Sequence, residues 1–490
     1  MRPILQEVDT VHTPESLIET SELGSGTLLL RSRLFESSSA RYSLVVAQPF
    51  LTLRTFGALC QFRAGHELWS QFGDPWAILD GLMARYELLD HLDLPFPLGG
   101  CFGYWGYDLK NFVEPRLARR AINDLELPDC QVGFYDSVVV FDHHLGKTWI
   151  VATGLNLNGS RETRLAEERL AWWRQLLSAE PKPGLGTARS TGSGRAPGRA
   201  VGWTSTMTSS EFVGAVRAAQ RYIRAGDIYQ VNLAHRLAAP ASCSGWEFYQ
   251  RLSHVSPAPY SAFLDAGDFQ LASSSPEMFL RLSGRHIVTR PIKGTRPRGN
   301  EPMRDAQLGY ELQSSPKELA ELLMITDLLR NDLGRVCEYG SVQVPELVRL
   351  ERFPQVQHLV STVEGRLWPD TTHLSALAHC FPGGSITGAP KIRAMDIIDE
   401  LEPVTRGPYT GCLGYLGFNR ESQLSLLIRT AVCTAQQIYY HAGAGIVADS
   451  IPEAEYEETL AKARGFQAAL SSAGRPVAGA EKRVQPDRDL

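Results

Sequence analysis

Strand-like and helix-like runs are interspersed along the 490 residues without the regular alternation that a parallel, doubly wound sheet requires. That mixture constrains the fold more than any other feature. Short runs rich in β-branched and aromatic residues occur at 42–47, 135–141, 228–233, 424–429 and 437–440, each of strand length. Helical spacing of apolar residues marks 161–177, which carries Leu165, Leu170, Trp172, Trp173 and Leu176. It also marks 316–336, where Leu319, Leu322, Leu323, Ile325, Leu328 and Leu329 share a broad apolar side. Thr208 and Glu211 have the spacing of a capping box, and Gly226 is placed to stop the helix they begin. Pro452 suits the first turn of a last helix. Segment 99–107, GGCFGYWGY, lets backbones approach closely. The pattern predicts an α+β protein built on largely antiparallel sheets.

A hydrophobic fraction of 43% with 21% charged residues is that of a folded, water-soluble chain. A net charge of −5 argues against a general nucleic-acid binder, while leaving room for local basic clusters around a small anion. No apolar run is long enough to cross a bilayer, and the start, MRPILQEVDT, lacks the apolar core of a signal peptide. The eight cysteines are scattered, with no C-x-x-C pair, which suits reduced thiols better than disulfides or a zinc site. A cytoplasmic protein is expected. Residues 181–200, rich in Gly, Pro, Ser and Arg, read as a flexible linker. It divides an N-terminal region (1–180) from a larger region (201–473), which a polar tail (474–490) follows.

Several residues stand where chemistry could be carried. Lys293 follows a strand-like run, sits between Pro291 and Gly294, and has Arg290, Arg296 and Arg298 for neighbours. Crowding by cations and desolvation both disfavour an ammonium, so this lysine could be nucleophilic; a basic loop holding an anion is the plainer reading. Glu277, beyond Ser275 and Pro276, is a general-acid candidate or a turn acid facing water. Glu318 and Glu321 share one helical face, as do Glu455 and Glu458. Two such acid pairs suit a hard cation such as Mg²⁺, or simply complement helix dipoles. The loop GGSITGAPK (383–391) leads into a helix and could hold an anion on its N–H groups, but it is no Walker A loop. Arg429 could grip a carboxylate or form a structural ion pair, and His358 could be a core histidine.

In order along the chain, GDIYQVNL (226–233), SPE (275–277), PIKGT (291–295), DLLRND (327–332), FPGGSITGAPK (381–391) and AGAGIVADS (442–450) resemble the chorismate-utilising enzymes. The likeness is strongest over 201–470. It implies two large antiparallel sheets in a sandwich wrapped by helices, with Mg²⁺ holding the substrate's ring carboxylate. Carried over by motif, Glu321, Glu455 and Glu458 correspond to metal ligands. Thr295, His358, Tyr415, Arg429, Gly443, Ala444 and Gly445 correspond to chorismate contacts, and Glu277 to the acid that assists loss of the C4 hydroxyl. Relatives that activate water carry a lysine where this chain has Gln230. Relatives that aminate C2, the anthranilate synthases, typically carry alanine where this chain has Lys293. The lysine implies the C4-aminating branch, a transferase chemistry of folate biosynthesis in which the amine attacks C2 and ammonia then displaces it by attack at C4. The alternatives are a C2-aminating enzyme and a non-catalytic chorismate- or tryptophan-binding subunit. No glutaminase signature is present, so the resemblance implies a separate glutamine amidotransferase partner that supplies ammonia. Relatives also hold a buried tryptophan, and the matching positions are Ser32, Ser39, Ala40, Arg41, Tyr42, Pro259, Tyr260 and Ser261. That match is partial, since Ser39 stands where an aromatic can occur.

Overall fold

The computed structural model describes residues 2–21, 23–32, 41–88, 94–181, 202–353 and 356–471. Segment 182–200 and the tail 474–490 therefore lie outside the described residues, as do Ser39 and Ala40. Two 12-stranded antiparallel sheets form the body of the molecule. Each is assembled from both sides of the 181–200 segment. In the first sheet Leu28–Arg31 pairs with Tyr260–Asp265, setting Arg31 against Ser261. In the second, Gly100–Trp105 pairs with Cys412–Gly417, setting Gly103 against Gly414. The N-terminal and C-terminal regions are thus not separate folding units.

The main core lies where the sheets face one another, and the strands there are buried along their whole length. Full burial explains why Ser137–Asp142 reads as a continuous apolar run instead of an alternating one. The run expected as one strand at 135–141 is two. Cys130–Tyr135 ends in the second sheet, and Ser137–Asp142 begins in the first, with Asp136 at the corner. The chain changes sheets in the same way at two later corners. Gln270–Ser275 passes to Met278–Ser283 through Pro276 and Glu277, and Glu421–Leu426 passes to Thr430–Cys433 through Leu427, Ile428 and Arg429.

Helices cover the sheets where the sequence placed them, with shifts of a few residues at their ends. Ser209–Ala225 has the expected capping box at Thr208 and Glu211, and Gly226 ends it with a left-handed φ of +84°. Pro316–Gly334 and Pro452–Lys462 each begin on their proline. No helix among the described residues is long and apolar enough to cross a membrane. All eight cysteines are free thiols.

Candidate active site

Two sheet corners meet at the site. The Leu426 amide donates to the Glu277 carbonyl (3.1 Å), and the Ser274 amide donates to the Arg429 carbonyl (3.1 Å). Backbone bonds at the crossovers therefore hold the two corners, which carry Glu277 and Arg429, against one another. Arg429, expected within a strand, instead occupies the turn with φ +51°. Its side chain faces a cavity of about 560 Å³, and it has no ion-pair partner among the described residues.

The same cavity is lined by Glu277, Lys293, Thr295, Glu321, His358, Gly443, Gly445, Glu455 and Glu458. Lys293 lies on the strand Ile292–Pro297, not on a basic turn, and this strand pairs along one side with Val356–Arg366. The pairing slips between Lys293 and Thr295, and Gly294 takes up the bulge with φ +65°. A Cβ at Gly294 would stand 2.7 Å from Leu312 and 2.9 Å from Glu318, so a side chain there would be strained by the left-handed backbone and would push those two side-chain ends aside.

The arginines expected to crowd Lys293 are engaged elsewhere. Arg290 pairs with Glu351, Arg296 with Glu318 (3.2 Å) and Arg298 with Asp305 (2.8 Å). What lowers the Lys293 pKa is first its burial in the cavity wall; Lys462 adds a like charge, while Glu321, Glu277 and Glu458 oppose the shift. Glu277 is 6% exposed and is not a turn acid facing water. Burial raises its pKa, against the opposing effects of a hydrogen bond with Ser385 and the charge of Lys293. An amine and a carboxyl whose charged forms are both disfavoured by burial face one cavity. His358 bonds Thr295 (Nδ1 to Oγ1, 2.8 Å), and burial, helped by Arg429, lowers its pKa to about 4, so the ring is neutral at pH 7.

Glu321 reaches the cavity from Pro316–Gly334, and Glu455 and Glu458 reach it from Pro452–Lys462. Glu318, its helix-mate, also lines the cavity but is paired with Arg296. Burial raises the pKa of Glu321 and of Glu455, and the charge of Glu458 raises both further. Among the described residues no three His, Cys, Asp or Glu side chains stand close enough to ligate one ion as they are. The donor set nevertheless fits a hard divalent cation: carboxylate oxygens from two helices face one space and repel one another, a repulsion such an ion would relieve.

Two of the expected contacts fall elsewhere. Tyr415 stacks on Phe102 and lines a separate cavity of about 50 Å³. Ala444 alternates away from Gly443 and Gly445 on the strand Gln437–Ile446 and is buried in an apolar cluster. The second cavity also gathers Ser32, Arg41, Tyr42, Tyr260 and Ser261, whereas Pro259 lies on a small neighbouring one. In the loop 383–391, Ser385 and Ile386 reach the substrate-sized cavity, and Lys391 is spent on Asp332 (2.6 Å). Sequence reasoning missed Lys462, which pairs with Glu458 (2.7 Å) and donates to the Gly443 carbonyl (2.9 Å). Its spacing of four from Glu458 on a helix was the available signal. Tyr409 and Asn232 were also missed; each reaches the cavity through tertiary packing.

Residues 34–468 match the family of chorismate binding enzymes. The chain belongs to that family. It is 42% identical to aminodeoxychorismate synthase component 1 of Klebsiella aerogenes over 442 residues, 89% of this chain and 91% of that one. It is 43% identical to anthranilate synthase component 1 of Thermus thermophilus over 422 residues, 85% of this chain and 88% of that one. Anthranilate synthase component I from Streptococcus pneumoniae superposes with a TM-score of 0.75 at 32% identity, covering 89% of this chain and 94% of that one. The isochorismate synthase MenF of Escherichia coli shares the fold at 18% identity, with a TM-score of 0.70, 96% of this chain and 94% of that one being covered. As a chorismate-utilising enzyme, this chain has relatives of two aminating specificities at similar distance.

Proposed function

We propose that this chorismate-utilising enzyme is the aminating subunit of an aminodeoxychorismate synthase, making 4-amino-4-deoxychorismate. One observation carries the reading: Lys293 faces the cavity that also holds Glu277, and burial disfavours its ammonium form. At the matching position anthranilate synthases typically offer alanine, which has no nucleophile. The neutral amine of Lys293 attacks C2 of chorismate, the two conjugated ring double bonds each move one place, and the C4 hydroxyl leaves as water with the proton of Glu277. Ammonia then forms a bond to C4, the two double bonds move back, the C2–N bond to Lys293 breaks to restore its neutral amine, and the new nitrogen returns a proton to the Glu277 carboxylate. The net change is replacement of the C4 hydroxyl by an amino group, with one water released. A temporary bond at C2 directs nitrogen to C4.

Arg429, unpaired among the described residues, is suited to a substrate carboxylate. Glu321, Glu455 and Glu458 would hold Mg²⁺, which supplies positive charge for the ring carboxylate. Gln230 is fully buried and carries no basic nitrogen, so it cannot activate water as a lysine there would. Ammonia would come from a separate glutamine amidotransferase.

Incubating the purified chain with chorismate, Mg²⁺ and ammonium, then identifying the product, tests the proposal. 4-Amino-4-deoxychorismate is expected. Anthranilate with release of pyruvate would replace the reading by the C2-aminating one, which the Thermus thermophilus relative favours equally by identity. Binding of chorismate without turnover would leave a binding subunit.

A further inference from the structure

Helix Pro452–Lys462 carries two of the carboxylates that face the substrate cavity, Glu455 and Glu458. Toward its ends the polar ties are partly open to solvent. Arg217 pairs with Glu453 at the surface (2.9 Å), and Lys462 pairs with Glu458 and donates to the Gly443 carbonyl. The middle turn is held differently. Thr459 is fully buried, four residues on from Glu455 and therefore one turn further along the same side of the helix. Its hydroxyl lies 2.8 Å from Nε2 of His235, a buried ring on the strand Gln230–Pro240.

The direction of these bonds follows from counting hydrogens. Thr459 has one O–H, and it donates to the Tyr456 carbonyl (2.7 Å). Toward His235 the hydroxyl can then only accept, which puts the ring proton on Nε2. Nδ1 is left as an acceptor, and the Ser205 hydroxyl, 2.7 Å away, donates to it. Ser205 in turn accepts from the Met207 amide (3.2 Å). Burial lowers the His235 pKa to about 4, so the ring is neutral at pH 7, as one donor and one acceptor require. Phe212 and Tyr456 pack beside it, with ring centroids 5.3 and 5.7 Å away. The relay thus ends on Tyr456 and Thr459, the residues that directly follow Glu455 and Glu458. A bond made on the buried side of a middle turn sets the rotation of the helix about its axis, and that rotation decides where the two acids point.

We propose that His235 is a positioning residue for the cation site: through Thr459 it fixes the rotation of helix Pro452–Lys462, and with it the aim of Glu455 and Glu458. The proposal rests on the reading of those acids as Mg²⁺ ligands and adds the residue that aims them.

Calorimetric titration of the chorismate-free protein with Mg²⁺ alone provides the test. Thr459→Val keeps the shape of the side chain but removes the hydroxyl, and should raise the Kd for Mg²⁺ by about tenfold. His235→Leu should act in the same direction and serves where Thr459→Val does not fold. His235→Gln, whose amide can still donate to Thr459, should keep the wild-type Kd. A histidine that only supported the core would lower the urea midpoint in these variants without moving that Kd. Such a result would overturn the proposal while leaving the Mg²⁺ reading standing. Wild-type protein that takes up no Mg²⁺ would overturn both.

Discussion

At the scale of single residues, Lys293 and Glu277 divide the proposed reaction between a nucleophile and an acid, and each can be removed separately. Wild-type protein given chorismate without ammonia should gain the mass of a chorismate-derived adduct. Lys293→Ala should lose that adduct and slow C4 amination by about 10²-fold or more; an adduct that survives would mean another nucleophile. Glu277→Gln keeps the shape but offers no acidic proton. Its kcat should fall by about 10²- to 10⁴-fold with chorismate binding retained by calorimetry, and a kcat near wild type would remove Glu277 from the acid role.

At the scale of elements, the bulge at Gly294 sets where Lys293 points. Gly294→Ala asks a left-handed position to accept a Cβ against Leu312 and Glu318. It should cost about 1–3 kcal/mol in urea denaturation and lower kcat as well; an unchanged kcat would show that the bulge does not position the lysine. What the sequence made legible at this scale was local. The Thr208 capping box, the Gly226 stop and the proline starts at 316 and 452 are written in neighbouring residues and recur in the structure. The corners are not written locally. Nothing in the run 135–141 distinguishes one strand from two in different sheets, because both halves are buried and apolar. Arg429 looked strand-like for the same reason. The cause of the Lys293 shift was also hidden. Adjacency in sequence pointed to Arg290, Arg296 and Arg298, while the cation that does act on it, Lys462, arrives from a helix far along the chain. Tyr415, assigned to the substrate by motif, lines the other cavity, and a strand buried on both faces gives no sign of which space a side chain lines.

At the scale of the whole molecule, the interleaving of N- and C-terminal strands in both sheets makes the chain one folding unit. Residues 1–190 and 191–490 expressed together as separate chains should co-purify as a complex; recovery of either piece as a folded monomer would contradict this. Buried neutral histidines set the acid limit of that unit. His373 bonds Ser422 (2.8 Å) and the Gly284 carbonyl (2.7 Å), and burial lowers its pKa to about 4 from 6.5. The unfolded chain therefore takes up this proton as pH falls below about 6.5, whereas the folded chain does so only near 4, so stability drops across that window. His143, His235 and His358 shift in the same direction, also to about 4. Urea midpoints at pH 7.5 and pH 5 should differ, and His373→Gln should narrow the difference; an unchanged gap would take His373 out of the acid transition.

The strand Ile292–Pro297 lies at the margin of its sheet, whereas Glu277 and Arg429 sit at interior corners. On the proposed reading, the grip on substrate and the proton donor belong to the interior of the fold, while the nucleophile rides on its margin. If the proposed reaction holds, that one side chain could be exchanged without rebuilding the scaffold that carries Glu277 and Arg429.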